Sequence, residues 1–464
     1  MSTKAELFFQ EMNSKKIAFI GMGVTNLNII KLFLSKQLDV TVCDRQTKEK
    51  LGKNYDELLA LGAKFVLGED YLETLCDYDV IFRSPGIYFY HPALQKAREH
   101  GCVVTTEMEV FFDLCPCKIY AVTGSDGKTT TTTLIGKMLE QQGFKVHVGG
   151  NIGKALLPEI ETIQPEDIAV VELSSFQIIS MRQSPDVAVI TNISPNHLDV
   201  HKTMEEYIQA KCNLLWHQNA FSKAVLNHDN EITDGLDRYV RGKLCKFSRK
   251  ECPTTGTWLD EQGYLYLVNN GVKTKLFHKD EIKIPGIHNV ENYLAAIAAV
   301  CDVVTPETMH QVATTFGGVE HRIELVRELD GVKWYNDSIA TSPTRTIAGL
   351  NSFQQKIIVI AGGYDKHLAY EPLAPKLVEK VKALVLMGAT APKIEAALLA
   401  CPGYDSEQLP IYHAENMEQA VQKAKEIAHP GDIVSLSPAS ASFDLYKNFE
   451  VRGNHFKQLV NELQ

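Results

Sequence analysis

A glycine-bearing turn, Gly124-Ser125-Asp126-Gly127, runs directly into Lys128, Thr129 and Thr130. It follows the apolar run KIYAV (118–122) and opens a helical stretch, the order of elements that cradles nucleotide phosphates. Gly124 and Gly127 let the backbone turn its N–H groups toward phosphate oxygens. Lys128 would supply a point charge to the β- and γ-phosphates, and Thr129 a hydroxyl to Mg²⁺. The first glycine of the general GxxxxGK[ST] pattern falls at Val122, so the match lies in the second half of that motif. Phosphate binding is the predicted chemistry.

Glu172 closes the apolar run IAVVEL and His197 follows VAVITN. In a parallel sheet both would stand near the edge that carries the phosphate loop, where a carboxylate can hold Mg²⁺ directly or through water. His197 and His201 have the four-residue spacing of zinc ligands on a helix, with no third ligand to complete the set. Lys211, in MEEYIQAKCNLLWH, is by default a solvated surface lysine. A second glycine turn, Gly21-Met22-Gly23-Val24-Thr25-Asn26, has two glycines of a dinucleotide fingerprint and Asn26 in the third place. Asp44 ends the next apolar run, as a ribose-binding acid would.

The elements that must position these residues alternate throughout. KIAFIG (16–21), DVTVCD (39–44), KFVLG (64–68), DVIFRSPG (79–86) and CVVTT (102–106) are predicted strands of a first doubly wound parallel sheet. The pattern restarts after Cys115-Pro116-Cys117 with KIYAV, IAVVEL (168–173) and VAVITN (187–192). TWLDEQGYLYLVNNGVKTKL alternates about Gly263 and Asn270-Gly271, which predicts a β-hairpin insert. Beyond Gly317-Gly318, a candidate hinge, VKWYND, KIIVIAGG, VKALVLMG and DIVSLS predict a third α/β unit. The expected fold class is α/β in three domains: a Rossmann-like one at 1–117, a P-loop ATPase domain with a mostly parallel sheet at 118–317, and a second Rossmann-like one at 318–464.

The 464 residues are 45% hydrophobic and 22% charged, the balance of a globular protein with a core to bury. A net charge of −10 argues against a nucleic-acid partner, which would demand a basic face. No apolar run reaches the length of a membrane span, and the N-terminal residues lack the apolar core of a secretory signal. Ten cysteines is ordinary usage for this length, and the 115/117 pair has neither redox nor zinc-finger spacing. A reduced, cytoplasmic protein without membrane insertion is expected.

Taken together, the motifs resemble the Mur ligase family of ATP-dependent amide-bond ligases in peptidoglycan synthesis. The shared segments are TGSDGKTT (123–130), GGNIG (149–153), ELSSFQ (172–177), TNISPNHLDVH (191–201), YIQAK (207–211), GIHNVENYLAA (286–296), FGGVEHRIE (316–324), NDSIATSP (336–343), AGGYDK (361–366) and SPASASFDLYKNFEVRGNHF (437–456). ELSSFQ and KNFEVRGN mark the D-glutamate-adding branch. The resemblance implies ATP, two Mg²⁺ ions and a carbamylated Lys211, with UDP-N-acetylmuramoyl-L-alanine and D-glutamate as substrates of a monomer. It places Gly124, Ser125, Asp126, Gly127, Lys128, Thr129, Thr130, Asn289, His321, Arg322 and Asp337 around ATP. Thr129, Glu172, His197 and Lys211 would surround the metal, and Lys128, Glu172, His197, Lys211 and Arg322 would carry the catalysis. Val24, Thr25, Ser84, Gly86, Asn151, Gln177 and His197 would contact the UDP-sugar. Thr341, Lys366, Ser442 and Phe449 would line the D-glutamate site.

Two positions depart from the family pattern: Ile339 stands where NDSKAT has lysine, and Asp126 where the loop usually has asparagine. Arg345 is the candidate to supply the missing cation. The rival readings are another Mur or folylpolyglutamate synthase-like ligase with a different acceptor, an NAD-dependent oxidoreductase built on the Gly21 turn, and a non-catalytic nucleotide-binding regulator.

Overall fold

The computed structural model describes residues 3–195, 201–366 and 368–464, and of Val24 and Thr25 the backbone alone. The chain forms two compact units, Met1–Lys279 with Glu291–Val312, and Asp280–Val290 with Ala313–Gln464.

In the first unit, short apolar runs become buried parallel strands because helices cover both faces of their sheets. β1 (Lys16–Ile20), β2 (Asp39–Asp44), β3 (Lys64–Leu67), β4 (Val80–Phe82) and β5 (Val103–Thr105) form a five-stranded sheet in the order β3-β2-β1-β4-β5. All four pairings are parallel. Phe19 stacks on Phe82 at 4.5 Å, and Phe33 meets both rings edge-on, fastening the Val24–Ser35 helix to the sheet.

A nine-stranded sheet follows: β6 (Lys118–Thr123), β7 (Val146–Gly150), β8 (Ile168–Glu172), β9 (Val187–Ile190), β10 (Lys223–Asn227), β11 (Lys243–Ser248), β12 (Gly256–Leu259), β13 (Tyr264–Asn269) and β14 (Val272–His278). Its order is β14-β13-β12-β11-β10-β9-β6-β8-β7, parallel from β7 to β12 and antiparallel across the β12–β13 and β13–β14 pairs. The predicted hairpin insert is this antiparallel edge, turning at Asn270-Gly271 with both residues at positive φ. One buried apolar cluster runs from Phe9 and Phe33 through Leu114 and Leu157 to Leu214, so both sheets of this unit share a core.

Glu107 sits inside that shared core, where its Oε1 accepts the N–H groups of Leu156 (3.2 Å) and Leu157 (3.1 Å). Burial pushes its carboxyl up to about 7. The folded chain therefore holds this proton where the unfolded chain has released it, and stability falls as pH rises from the ordinary carboxylate range through about 7. The full loss is about 3 kcal/mol. We expect Glu107→Gln, which keeps an acceptor for both N–H groups, to raise the melting temperature at pH 8 by several degrees and to leave it unchanged at pH 5. An equal gain at both pH values would remove the ionisation as its cause.

In the second unit, β15 (Glu324–Leu329), β16 (Val332–Asn336), β17 (Ile357–Ala361), β18 (Val381–Leu386), β19 (Ile411–His413) and β20 (Ile433–Leu436) form a six-stranded sheet in the order β15-β16-β20-β17-β18-β19. It is parallel apart from the edge strand β15. One face packs Trp334, Val385 and Phe456, the other Tyr335, Leu384 and Leu398. The α/β class and its mostly parallel sheets are as the sequence predicts.

Candidate nucleotide and ligase site

β6 ends at Thr123, and the chain turns through Gly124–Gly127 into the Lys128–Gln142 helix. Gly127 caps that helix in the left-handed region at φ 76°. Gly124 lies at φ 153°, and a Cβ there would overlap Thr191 Oγ1 and stand 3.1 Å from the Asn192 carbonyl. The loop is held rigidly from the β9 side. Asp126 N donates to Asn192 Oδ1 (3.0 Å), Thr191 Oγ1 donates to Asp126 O (2.6 Å), and Ser125 N donates to Asn192 O (2.9 Å). The first intrahelical bond runs from Thr131 N to Gly127 O, so the first-turn N–H groups have no acceptor within the helix. Such a turn is a preformed anion cradle. The Asp126 side chain is exposed, which keeps its carboxylate solvated.

Lys128 folds over the loop, its Nζ donating to the carbonyls of Gly124 (3.1 Å) and Ser125 (2.9 Å). Register places Glu172 beside Val122 and Gly150. Its carboxylate, 1% exposed, accepts Thr129 Oγ1 (2.7 Å) and Asn151 Nδ2 (2.7 Å). Among the described residues no cation lies within ion-pair distance of it. A hydroxyl and a buried carboxylate beside a phosphate loop are hard oxygen donors that fit Mg²⁺, which needs few protein ligands when phosphate oxygens and water complete its shell.

Lys211 projects from the Met204–Trp216 helix into the same place. It is 1% exposed and its Nζ donates to Gly124 O (2.9 Å) and Thr123 Oγ1 (3.2 Å). Burial, and then the charge of Lys128, hold this amine well below the ordinary lysine range. The surface-lysine default is therefore overturned. A buried amine that sheds its proton readily is a nucleophile.

His197 lies outside the described residues. His201 is fully buried, its Nε2 2.8 Å from Ser175 Oγ and its ring stacked on Phe176 at 5.0 Å. That is a packing arrangement, and no metal-holding group of His, Cys, Asp and Glu occurs among the described residues.

The Gly21 turn is built differently from a dinucleotide site. Asn26 Nδ2 donates to Ile20 O (3.0 Å) and Gly21 O (2.9 Å), closing the turn from inside. Asp44 accepts Met22 N and Gln46 N, each at 2.8 Å, with both carboxylate oxygens committed to backbone. Asp44 thus braces the glycine turn through Met22 and its own following chain through Gln46, and the residue is buried. The side chains of Val24 and Thr25 lie outside what is described. Ser84 and Gly86 form a turn closed by Ile87 N to Ser84 O (3.0 Å). Gln177 Oε1 accepts Ser174 N (2.9 Å) and Ser174 Oγ (2.8 Å), so its carbonyl caps the Ser175–Ile178 helix and its amide is the group left to serve a ligand.

In the second unit, His321 adopts φ 62°, and its Nδ1 faces Asn336 Nδ2 at 2.9 Å. Gly453 makes room for it, since a Cβ there would overlap that nitrogen. Burial draws the imidazole below its usual range. Asp337, at the end of β16, accepts Ile323 N (3.3 Å) and Ser437 Oγ (2.9 Å). Burial pushes it up to about 7, against the opposing charges of Arg322 and Arg345. Arg345 donates to the Ile339 carbonyl at 3.3 Å, which sets its guanidinium beside the main chain of the residue that replaces the family's lysine. Asn289 Nδ2 donates to Pro285 O (2.6 Å). Thr341 N donates to Ile339 O (2.8 Å). The Phe449 ring meets His321 edge-on at 5.9 Å. Ser442 is buried beside exposed Phe443, over which Lys366 Nζ stands at 5.7 Å.

Two arginines were not singled out from sequence. Arg452, 2% exposed, donates to Ser338 Oγ and O, Ser440 O and Ala441 O, pinning the loops after β16 and β20 together. Arg83 has a comparable setting in the first unit. The usable signal at Arg83 is a guanidinium directly after the apolar run VIF, whereas Arg452 sits in the polar segment NFEVRGNH and offers no such signal.

Fold and loop together define a P-loop nucleotide-binding α/β protein. Residues 15–106 match the MurD-like N-terminal domain of Mur ligases, 122–300 the Mur ligase middle domain, and 321–440 the Mur ligase glutamate ligase domain. The UDP-N-acetylmuramoylalanine–D-glutamate ligase of Acetivibrio thermocellus is 50% identical, with all of both chains covered. That of Clostridium acetobutylicum is 50% identical over 98% of each. Among solved structures, UDP-N-acetylmuramate–alanine ligase MurC from Thermotoga maritima shares the fold at a TM-score of 0.57 and 19% identity, covering 96% of this chain and 99% of its own. The chain belongs to the Mur ligase family.

Proposed function

We propose that this chain is an ATP-dependent ligase that joins D-glutamate to UDP-N-acetylmuramoyl-L-alanine in peptidoglycan precursor synthesis. The observation that carries the chemistry is the convergence of Lys128, Thr129, Glu172 and Lys211 on one glycine loop. Full-length identity of 50% to two ligases of that name supports the choice of acceptor.

A carboxylate is a poor acyl donor because its leaving group would be oxide. Passing the γ-phosphoryl of ATP to the alanyl carboxylate makes an acyl phosphate and ADP. The D-glutamate amine then attacks the carbonyl, loses a proton, and expels phosphate to leave the amide. Lys128 and the loop N–H groups bind and orient the ATP phosphates, and Arg322 adds a second cation against the charge that repels phosphate from carboxylate. Thr129, Glu172 and His197, with Lys211 carrying a carbamate, would hold the two Mg²⁺ ions, which when bound neutralise phosphate charge. Asn289, His321 and Asp337 complete the ATP contacts. Val24, Thr25, Ser84, Gly86, Asn151 and Gln177 receive the UDP-sugar, and Thr341, Lys366, Ser442 and Phe449 receive D-glutamate. The enzyme works as a cytoplasmic monomer. Among the described residues no helix is long and apolar enough to cross a membrane.

The test is phosphate release with ATP, Mg²⁺ and UDP-N-acetylmuramoyl-L-alanine, varying the amino acid among D-glutamate, L-glutamate, L-lysine and meso-diaminopimelate. Release that requires D-glutamate, with the matching mass gain in product, is expected. Release with a different amino acid would keep the ligase chemistry and move the acceptor.

A further inference from the structure

Arg83 follows β4, at the carboxyl end of a parallel strand where ligands of such sheets bind. Its side chain turns into the protein and is 2% exposed. One amino group donates to Ile87 O (2.7 Å) and reaches Ser84 O (3.5 Å). The other donates to Phe176 O (2.8 Å) and reaches Ser180 Oγ (3.4 Å), while the guanidinium stands 5.8 Å from the Phe89 ring. Among the described residues no carboxylate comes within ion-pair distance, and Nε has no partner. Burial lowers its pKa to about 10, opposed by the charge of Glu109.

A guanidinium buried against carbonyls, a hydroxyl and a ring, with no carboxylate beside it, is an expensive way to fill a core, and an apolar side chain would do it more cheaply. What it achieves is geometric. It draws the carbonyls of Ser84, Ile87 and Phe176 to one point, so the turn after β4 and the Ser175–Ile178 helix are fixed to each other although they lie about ninety residues apart. The turn's own closing bond uses Ile87 N–H and Ser84 O, which leaves the Gly86 N–H outside it. The Ser84 side chain stands between two glycines: Cβ atoms built at Gly21 and Gly86 would lie 3.9 Å and 3.8 Å from its Oγ. Gly21 lies two residues before Gly23, the N-cap of the Val24–Ser35 helix, whose N-terminus favours an anion.

We propose that Arg83 is a positioning residue for the sugar-nucleotide site: it holds the Ser84–Ile87 turn against the Ser175–Ile178 helix so that the groups meeting the diphosphate and the sugar keep their spacing. This rests on the reading of that site given above. Arg83 touches no substrate, and its effect is confined to one of the three substrates.

The experiment is steady-state kinetics of Arg83→Met and Arg83→Lys with each substrate varied in turn, and calorimetric titration of UDP into the same proteins without acceptor. We expect Arg83→Met to raise the KM for the UDP-sugar at least tenfold and to weaken UDP binding in parallel, with the KM for ATP and D-glutamate within twofold of the parent. Arg83→Lys, which retains the charge and two or three donors, should recover part of the loss and remains informative where the methionine variant does not fold. A UDP-sugar KM within twofold of the parent in both folded variants would overturn the proposal, as would a common rise in all three KM values. Failure of the parent to use D-glutamate would strike the acceptor assignment; the UDP titration would still decide the role of Arg83.

Discussion

Lys211→Arg is expected to be as inactive as Lys211→Ala, each losing about 10³-fold in turnover, the upper end of what removing one preorganised charge-stabilising group costs. Arginine keeps a positive charge and can still donate to the Gly124 carbonyl, so it preserves whatever a buried cation would contribute there. It cannot give up its proton and cannot carry a carbamate. The lysine amine is 1% exposed, and burial together with Lys128 holds it well below its ordinary range. As the neutral amine it can attack CO₂, forming a C–N bond and releasing one proton, which converts an uncharged amine into a carboxylate within reach of the phosphate loop. ¹³C NMR in ¹³C-bicarbonate should show a carbamate carbon in the parent protein that is absent from both variants. A Lys211→Arg enzyme within tenfold of the parent would mean that the site needs a cation, and the carbamate would be withdrawn.

Lys211 shows where sequence reasoning runs out. MEEYIQAKCNLLWH gives a helix but does not say that Lys211 lies under the loop 87 residues earlier, because that depends on the tertiary placement that brings the helix to Thr123 and Gly124. Strands such as Asp39–Asp44 and Ile357–Ala361 were legible because parallel sheets bury both faces and leave uninterrupted apolar runs. β7, β11 and β15 escaped for local reasons. VHVGG ends in two glycines, KLCKFS mixes in lysines, and ELVREL is a charged antiparallel edge. The phosphate loop was readable because its chemistry is carried by consecutive residues. Asp44 makes the same point as Lys211: position along a strand does not reveal that its oxygens accept the Met22 and Gln46 N–H groups and so brace the glycine turn.

Gly124→Ala should remove activity through a collision added to the cost of a backbone at φ 153°. The alanine Cβ would overlap Thr191 Oγ1 and press on the backbone N and O of Asn192 at 3.2 and 3.1 Å, and Asn192 is itself pinned by its bonds to Asp126 and Ser125. The Asn192 backbone cannot yield as a flexible side chain would, and the Thr191 hydroxyl is held on Asp126 O, so the loop must shift, and a misplacement of about 1 Å in a positioning group costs about 10²-fold in rate. The same shift displaces the carbonyl that receives both Lys128 and Lys211, which makes about 10²-fold a lower bound. Gly143→Ala is the control. Gly143 closes the other end of the same helix at φ 103° with nothing within 4 Å of a built Cβ, so it carries the left-handed backbone penalty of about 1–2 kcal/mol without the collision. Its melting temperature should fall while its KM for ATP and turnover stay within twofold of the parent. If Gly143→Ala lost activity to the same degree, the cost would lie in backbone strain along the helix, and the close packing of Thr191 and Asn192 against the loop would not be what sets the geometry for phosphate.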